Sequence, residues 1–178
     1  MKQFTTIILI LFLFNIPKSE AQSVSIGGFL GGGTVGGFAA TTGAFTSSLF
    51  AEVNTPFLGF NPRLSFIYAQ DFNILLPGST NKYFPFLKSL SLKAIFVQPL
   101  SKPFFMEEGF GPEIINDRTF SNVNEWNYGT AFSIETGIDF RKDKTSGFKA
   151  GVGVEFSITF GNTFAKYFSA HLQGQYYF

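Results

Sequence analysis

A strict two-residue alternation in the last two apolar stretches, residues 148–160 and 168–178, most constrains the fold. From Phe148 to Phe160 every second residue is apolar, whereas the residues between are Lys, Gly, Glu, Ser and Thr. From Phe168 to Phe178 the same alternation sets Phe, Ala, Leu, Gly and Tyr against Ser, His and Gln. Successive side chains of a strand point to opposite faces, so each stretch predicts a strand with one apolar and one polar face. Both exceed the ~5–6 residues of an average strand about twofold, which indicates membrane-spanning strands.

Six earlier stretches continue this pattern and bring the predicted number of strands to eight. An even number returns the chain to its starting side, as single-chain outer-membrane barrels require. We therefore predict an all-β, eight-stranded antiparallel up-and-down transmembrane β-barrel, whose fifth strand is weakened by Pro112. The predicted strands are residues 22–31, 45–54, 63–69, 88–98, 104–114, 126–140, 148–160 and 168–178.

The connections are expected to alternate in length, because outer-membrane barrels have long extracellular loops and short periplasmic turns. Residues 32–44 form a glycine-rich stretch that predicts a loop, and 70–87 and 115–125 predict two further long loops. The predicted periplasmic turns are shorter and comprise residues 55–62, 99–103 and 141–147. The last extracellular connection, 161–167, is short and departs from the rule.

The apolar face is predicted to point to lipid. If the polar faces pointed outward, Lys93 and Lys149 near the midplane would each cost ~2–4 kcal/mol. The many phenylalanines would then have to fit the narrow interior of an eight-stranded barrel. With phenylalanine outward, three bases and five acids can pair inside, and any acid left over is hydrated or protonated. This predicts a filled plug rather than a wide pore. The predicted interior charge network is Glu52, Arg63, Lys93, Glu113, Glu135, Asp139, Lys149 and Glu155.

Residues 1–21 predict a cleavable signal peptide. Lys2 supplies the positive charge, residues 7–14 form an unbroken apolar run, and small Ser19 and Ala21 precede a cleavage site before Gln22. The run is too short to span a bilayer as a helix, which takes about 18 residues or more. The exported domain is then 22–178, a single outer-membrane barrel domain. It has no cysteine, which argues against both a lipid-anchored lipoprotein and a disulfide.

Other chemical signals are weak. Lys and Arg number 13 against 12 Asp and Glu, which argues against nucleic acid as a partner. Gly31, Gly33 and Gly36 match a dinucleotide fingerprint, but no helical pattern follows them, so no cofactor is predicted. His171 is the only histidine, and a metal site is not expected. Ser169 and His171 share a strand face beside Glu155 and leave a lipid A-modifying enzyme as an alternative.

The terminal motif Leu172-x-Gly174-x-Tyr176-x-Phe178 resembles the C-terminal signal by which outer-membrane barrels are recognised for assembly. Residues 22–178 as a whole resemble the small eight-stranded outer-membrane barrel families, such as the OmpA transmembrane domain, OmpX and the PorT-like barrels. The resemblance implies residence in the outer membrane as a monomer and insertion by the barrel assembly machinery with periplasmic chaperones. It also implies outer-membrane lipid and lipopolysaccharide as surroundings, and it implies no catalytic residue.

The sequence therefore predicts a non-enzymatic outer-membrane barrel with a structural, surface-interaction or narrow-passage role. Two alternatives stay open. One is the lipid A-modifying enzyme. The other is a soluble periplasmic β-sandwich binding protein, in which the phenylalanine faces would pack against each other between two sheets.

Overall fold

The computed structural model describes residues 23–55, 58–76, 82–141 and 146–178. In them, eight antiparallel strands pair in sequence order and β1 pairs with β8, so the sheet closes into a barrel. The predicted up-and-down barrel is confirmed, and a two-sheet sandwich is excluded. The strands are β1 Val24–Gly36, β2 Thr42–Val53, β3 Asn61–Asp71, β4 Phe86–Pro99, β5 Phe104–Arg118, β6 Glu125–Asp139, β7 Gly147–Thr159 and β8 Lys166–Tyr177.

A short 3-10 helix, Phe72–Leu75, follows β3. Across the described ranges, none of the helical segments has the length and apolar character needed to cross a membrane. The proposed signal peptide, residues 1–21, lies outside the described residues.

The prediction of a glycine-rich loop at 32–44 was wrong, because β1 runs to Gly36 and β2 already begins at Thr42. The glycines bring β1 close to β8. A Cβ on Gly31 would collide with the main-chain oxygen of Ala170, and one on Gly33 with that of Phe168. Glycine in a strand marks such close backbone approaches, although its low strand propensity hides the strand in the sequence.

Pro112 does not end β5, which continues to Arg118. Its effect is local. The β4–β5 register is paired at Ser91 with Glu113 and again at Ala94 with Phe110, but not in between. Proline lacks the N–H that a ladder requires, so two positions of pairing are lost while the register stays intact. The predicted loop at 115–125 accordingly shrinks to residues 119–124.

The expected alternation of long and short connections is largely absent. At the end of the barrel that holds the chain termini, the connections are 54–60, 100–103 and 140–146. At the opposite end they are 37–41, 72–85, 119–124 and 160–165, of which only 72–85 is long. The strands extend into most of the predicted loops, because backbone pairing continues beyond the point where apolar alternation fades.

Apolar side chains cover the outside of the barrel. Leu49 and Leu172 are 70% and 69% exposed, whereas their chain neighbours Ser48 and Gln173 are buried inside. Further outward apolar residues are Ile26, Leu30, Leu64, Phe66, Leu90, Leu92, Phe110, Phe132, Ile134, Val152, Val154, Phe156 and Phe168.

Three phenylalanines, Phe29, Phe50 and Phe105, are exceptions to the expected outward placement of this residue type and are buried on the polar faces of their strands. Glycine makes room for one of them, since a Cβ on Gly27 would meet the Phe50 ring. Each ring also covers a polar interior group, as described below. Ring faces carry partial negative charge, so an aromatic residue inside a charged barrel is compatible with its surroundings.

Candidate functional site

The barrel interior near the chain termini contains a chain of four ionic groups. Arg63 donates from Nε to Glu52 Oε2 at 2.7 Å and from a terminal nitrogen to Glu107 Oε2 at 2.6 Å. Lys149 donates to the other oxygen of Glu107, also at 2.6 Å. All four side chains are almost fully buried. They come from β2, β3, β5 and β7, and their two positive and two negative charges cancel.

Neutral groups complete this cluster. The Asn61 amide donates to Glu52 at 3.1 Å, and the Tyr177 hydroxyl donates to the same oxygen at 3.3 Å. The Arg63 guanidinium lies 4.3 Å from the centre of the Phe50 ring, and Lys149 Nζ lies 4.2 Å from that of Phe105. The inward phenylalanines thus contact the buried cations.

A second cluster lies farther from the termini. Lys93 donates to Glu155 Oε2 at 2.5 Å, and the Tyr167 hydroxyl contacts Glu155 Oε1 at 2.6 Å. The same hydroxyl lies 3.1 Å from Glu113, whose carboxyl group also accepts from Ser89 and Ser157. Tyr167 therefore connects the two carboxyl groups.

Among the described residues, Glu113 and Glu135 form no ion pair. Neutral donors satisfy them, with the Gln173 amide donating to Glu135. The interior thus contains all three predicted bases, each in an ion pair, and more acids than bases.

Asp139 was predicted to belong to the interior charge network, but the structure places it outside that network. It is the last residue of β6, is only partly buried, and pairs at 2.7 Å with Arg141 in the following turn. The hydrogen bonds from Arg141 to Asp139 raise the pKa of the guanidinium above its ordinary value. This guanidinium lies 4.1 Å from the centre of the Tyr177 ring at the mouth of the barrel.

Three buried acids, Asp71, Glu107 and Asp117, were not among the predicted interior charges. Glu107 was recognisable, because it continues the two-residue period of Gly109, Gly111 and Glu113 in the same strand. Asp71 and Asp117 lay in stretches predicted as loops, 70–87 and 115–125, so the strand pattern assigned them no face.

The opposite end of the lumen is closed by an apolar layer and a turn. The layer is a cluster of buried side chains next to the second ionic cluster. The β1–β2 turn lies above it, because Phe38 N donates to Asp117 Oδ2 at 3.0 Å and Ala39 N to Thr119 Oγ1 at 3.1 Å. In an eight-stranded barrel β1 and β5 lie on opposite walls, so this turn crosses the lumen. The layer comprises Phe29, Val35, Ala44, Ile67, Ala69, Leu87, Ile115, Ala165 and Tyr167.

The end with the chain termini contains a cavity of about 510 Å³ instead. Phe105 and Val97 contribute apolar surface on one side, and Arg141 and Lys149 contribute cationic groups on another. Lys149, which lines this cavity, is the residue that pairs with Glu107 in the first ionic cluster. Over the part of the chain that the structure describes, the lumen is a recess at one end and is filled with side chains beyond it.

The serine, histidine and acid of the enzyme alternative do not form a catalytic triad. Ser169 Oγ lies 3.2 Å from His171 Nδ1, but it also lies 2.6 Å from Thr46 Oγ1 and is fully buried. His171 stacks on Phe29 with ring centres 3.9 Å apart. Glu155 pairs with Lys93 and Tyr167. The three groups have separate structural partners, and a lipid cannot reach the serine from outside.

The described segments contain no candidate metal site, and the C-terminal assembly motif does not line the interior. No group of three or more His, Asp or Glu there could hold a metal ion. The terminal motif lies on the outer wall, where Leu172, Tyr176 and Phe178 are exposed and Gly174 pairs with Gly28 of β1. Its role as an assembly signal stays a prediction.

Known structures share this architecture. Neisserial surface protein A superposes with a TM-score of 0.70 over 89% of this chain and 99% of its own, at 7% sequence identity. Ail, the attachment invasion locus protein of Yersinia pestis, superposes with a TM-score of 0.51 over 88% and 97%, at 14% identity. Ail in complex with the heparin analogue sucrose octasulfate gives the same TM-score and coverage at 13% identity.

The chain therefore has the fold of these small eight-stranded β-barrels, and the expected resemblance is confirmed for the fold. No protein-family model matches the chain, and no curated protein matches it in sequence. At these identities the likeness concerns the architecture alone.

Proposed function

We propose that the protein is a monomeric, non-conducting barrel of an outer membrane with a structural or surface-interaction role, exported by a signal peptide at residues 1–21. The observation that supports this is the contrast between the two faces of the closed sheet. Apolar side chains cover the outside, and ion pairs and an apolar layer fill the inside. In a closed barrel, each strand pairs with a neighbour on both sides, so its backbone N–H and C=O groups are hydrogen-bonded. Strands can span lipid only when this condition is met.

Membrane residence is tested by expressing the full chain in a Gram-negative host, separating the inner and outer membranes, and comparing heated and unheated samples by gel electrophoresis. A protein in the outer-membrane fraction whose mobility changes only on boiling supports the proposal. A protein that is recovered in the soluble periplasmic fraction, with one mobility, would overturn it.

The filled lumen is tested separately by reconstituting the purified barrel into planar bilayers. We expect no stable single-channel conductance, because a layer of buried apolar side chains and the turn at 37–41 lie across the lumen. Reproducible conductance steps would assign the protein a passage role instead. A large-pore porin, measured under the same conditions, is the positive control.

The enzyme alternative is supported only by the Ser169–His171 contact. Replacing His171 by Ala and comparing the lipid A of host cells by mass spectrometry tests it. We expect identical profiles in cells with the wild-type protein, the His171→Ala variant and the empty vector, because the serine is buried. A modification that appears only with the wild-type protein would establish the enzyme.

A further inference from the structure

The longest connection begins with an apolar turn, residues 72–76, made of the 3-10 helix Phe72–Leu75 and the next residue, Leu76. None of the helix residues is buried. Its four large apolar side chains, Phe72, Ile74, Leu75 and Leu76, are 41–65% exposed. Exposed apolar residues that lie next to each other mark contact with a partner or a membrane.

The apolar turn lies on the outer wall of the barrel. The Phe72 ring covers two glycines, Gly32 of β1 and Gly43 of β2. A Cβ built on Gly32 would lie 3.2 Å from Phe72 Cζ, and one on Gly43 would lie 3.4 Å from Cδ2. Both glycines belong to the outward face, the same face as Leu30 and Leu49. Directly after β3, the Phe72 side chain therefore lies outside the barrel and reaches across β2 to β1.

Asp71, the last residue of β3, holds the turn in this position. Its carboxylate accepts from Asn73 N at 2.7 Å and from the Thr42 hydroxyl at 3.0 Å, and its side chain is buried. The first bond begins the 3-10 helix, and the second ties its start to β2. The orientation of the turn is thus fixed by the barrel and does not depend on a partner.

We propose that the apolar turn at 72–76 is a lipid-contact element, which inserts into the headgroup-proximal part of the acyl layer beside β1 and β2. This rests on the proposed residence in a membrane. Two observations favour lipid over a protein partner. Gly32 is followed by four further residues of β1, so Phe72 lies below the end of the strand. The turn is also continuous with the outward apolar surface at Leu30 and Leu49, which already faces lipid.

Fluorescence quenching in bilayers tests this placement. The native Trp126 is replaced by Phe, and a single tryptophan is introduced at Leu75→Trp, at Leu172→Trp on the lipid-facing wall, or at Ser121→Trp in an exposed turn at the same end. Each variant is refolded into phosphatidylcholine vesicles brominated either near the headgroup or near the chain end. Aqueous iodide is the complementary quencher.

We expect the tryptophan at position 75 to be quenched more by bromine near the headgroup than near the chain end, and to be shielded from iodide. The tryptophan at 121 should show the reverse, with strong iodide quenching. Adding Phe72→Ala should release the turn, shift the emission at 75 to longer wavelength and expose it to iodide. An iodide-accessible tryptophan at 75 that bromine does not quench would overturn the proposal.

Heat-modifiable mobility of the same vesicle samples separates this outcome from failure of the proposed function. If the barrel is folded and the tryptophan at 172 is quenched by lipid, an unquenched tryptophan at 75 refutes only the lipid-contact element. If the tryptophan at 172 is also unquenched, membrane residence itself is wrong.

Discussion

At the scale of single residues, the interior is organised by the need to pair each buried base. Arg63 illustrates this, because its planar guanidinium contacts one carboxylate from β2, one from β5, and the face of a ring. Removing one partner of a buried pair costs more than the pair contributes, since a charge then stays buried without compensation. The network therefore determines which substitutions the lumen tolerates.

Replacing Arg63 by Met should lower the free energy of unfolding by about 3–5 kcal/mol, because Glu52 and Glu107 lose their shared guanidinium. Urea titration of the barrel in lipid vesicles measures this. Lys166→Met, at an exposed position of β8, is the matched control and should change stability by no more than about 0.5 kcal/mol. Combining Arg63→Met with Glu52→Gln should recover part of the loss. Equal stability of Arg63→Met and the control would show that the network contributes no stability.

At the scale of the elements, the two ends of the barrel differ because one turn is fixed across the lumen. Asp117 holds it with one oxygen and organises Thr119 with the other, accepting from the Thr119 amide at 2.8 Å and its hydroxyl at 2.7 Å. Gly37 lies against this carboxylate, where a Cβ would collide with it. Asp117 thus holds the turn directly through Phe38 and indirectly through Thr119, which accepts from Ala39 N.

Replacing Asp117 by Ala should release the β1–β2 turn and leave the barrel folded. We expect faster chymotrypsin cleavage at Phe38, which is exposed, together with an unchanged heat-dependent mobility shift. Glu125→Ala, an exposed position at the start of β6, is the control and should digest like the wild type. A cleavage rate equal to that of the wild type would mean that other contacts hold the turn.

The end of β8 has a different role from the β1–β2 turn. The Phe178 side chain is 65% exposed on the outer wall, while its backbone N–H donates to Val24 O at 3.0 Å. Truncating the ring removes no interior contact, so stability should change little. If truncation of this ring lowers the amount of folded barrel in cells, the cause would therefore be impaired assembly and not a lower folding free energy.

We accordingly expect Phe178→Ala to lower the amount of folded barrel in cell envelopes and to refold in detergent as well as the wild type does. Heat-dependent mobility measures both. Phe160→Ala removes an aromatic ring that is 74% exposed at a strand end and should leave assembly in cells unchanged. Normal assembly of Phe178→Ala would refute the proposed signal.

At the scale of the whole molecule, the closed sheet separates a polar interior from an apolar outer surface, and we propose that lipid surrounds the outer one. Leu172 tests this directly. It lies in the middle of β8, and its partners Leu30 and Val152 on both neighbouring strands are also exposed apolar residues. No interior contact depends on this side chain.

Replacing Leu172 by Arg should cost ~2–4 kcal/mol in phospholipid vesicles, the penalty for a charge near the bilayer midplane. Unfolding in urea measures the loss, and Leu172→Ala controls for the lost side chain. If arginine costs no more than alanine, this face of the barrel does not contact the acyl layer.

The sequence by itself determined the two faces of the strands, their even number, and the placement of Lys93, Lys149 and Arg63 inside. These follow from the side-chain period of a strand, which is local. Only the tertiary structure decided that Arg63 meets Glu107, that Gly31 and Gly33 lie within a strand, and that the turn after β1 crosses to Asp117. Each of these depends on the register and closure of the sheet. Register and closure bring distant residues together, so no local pattern in the sequence encodes them.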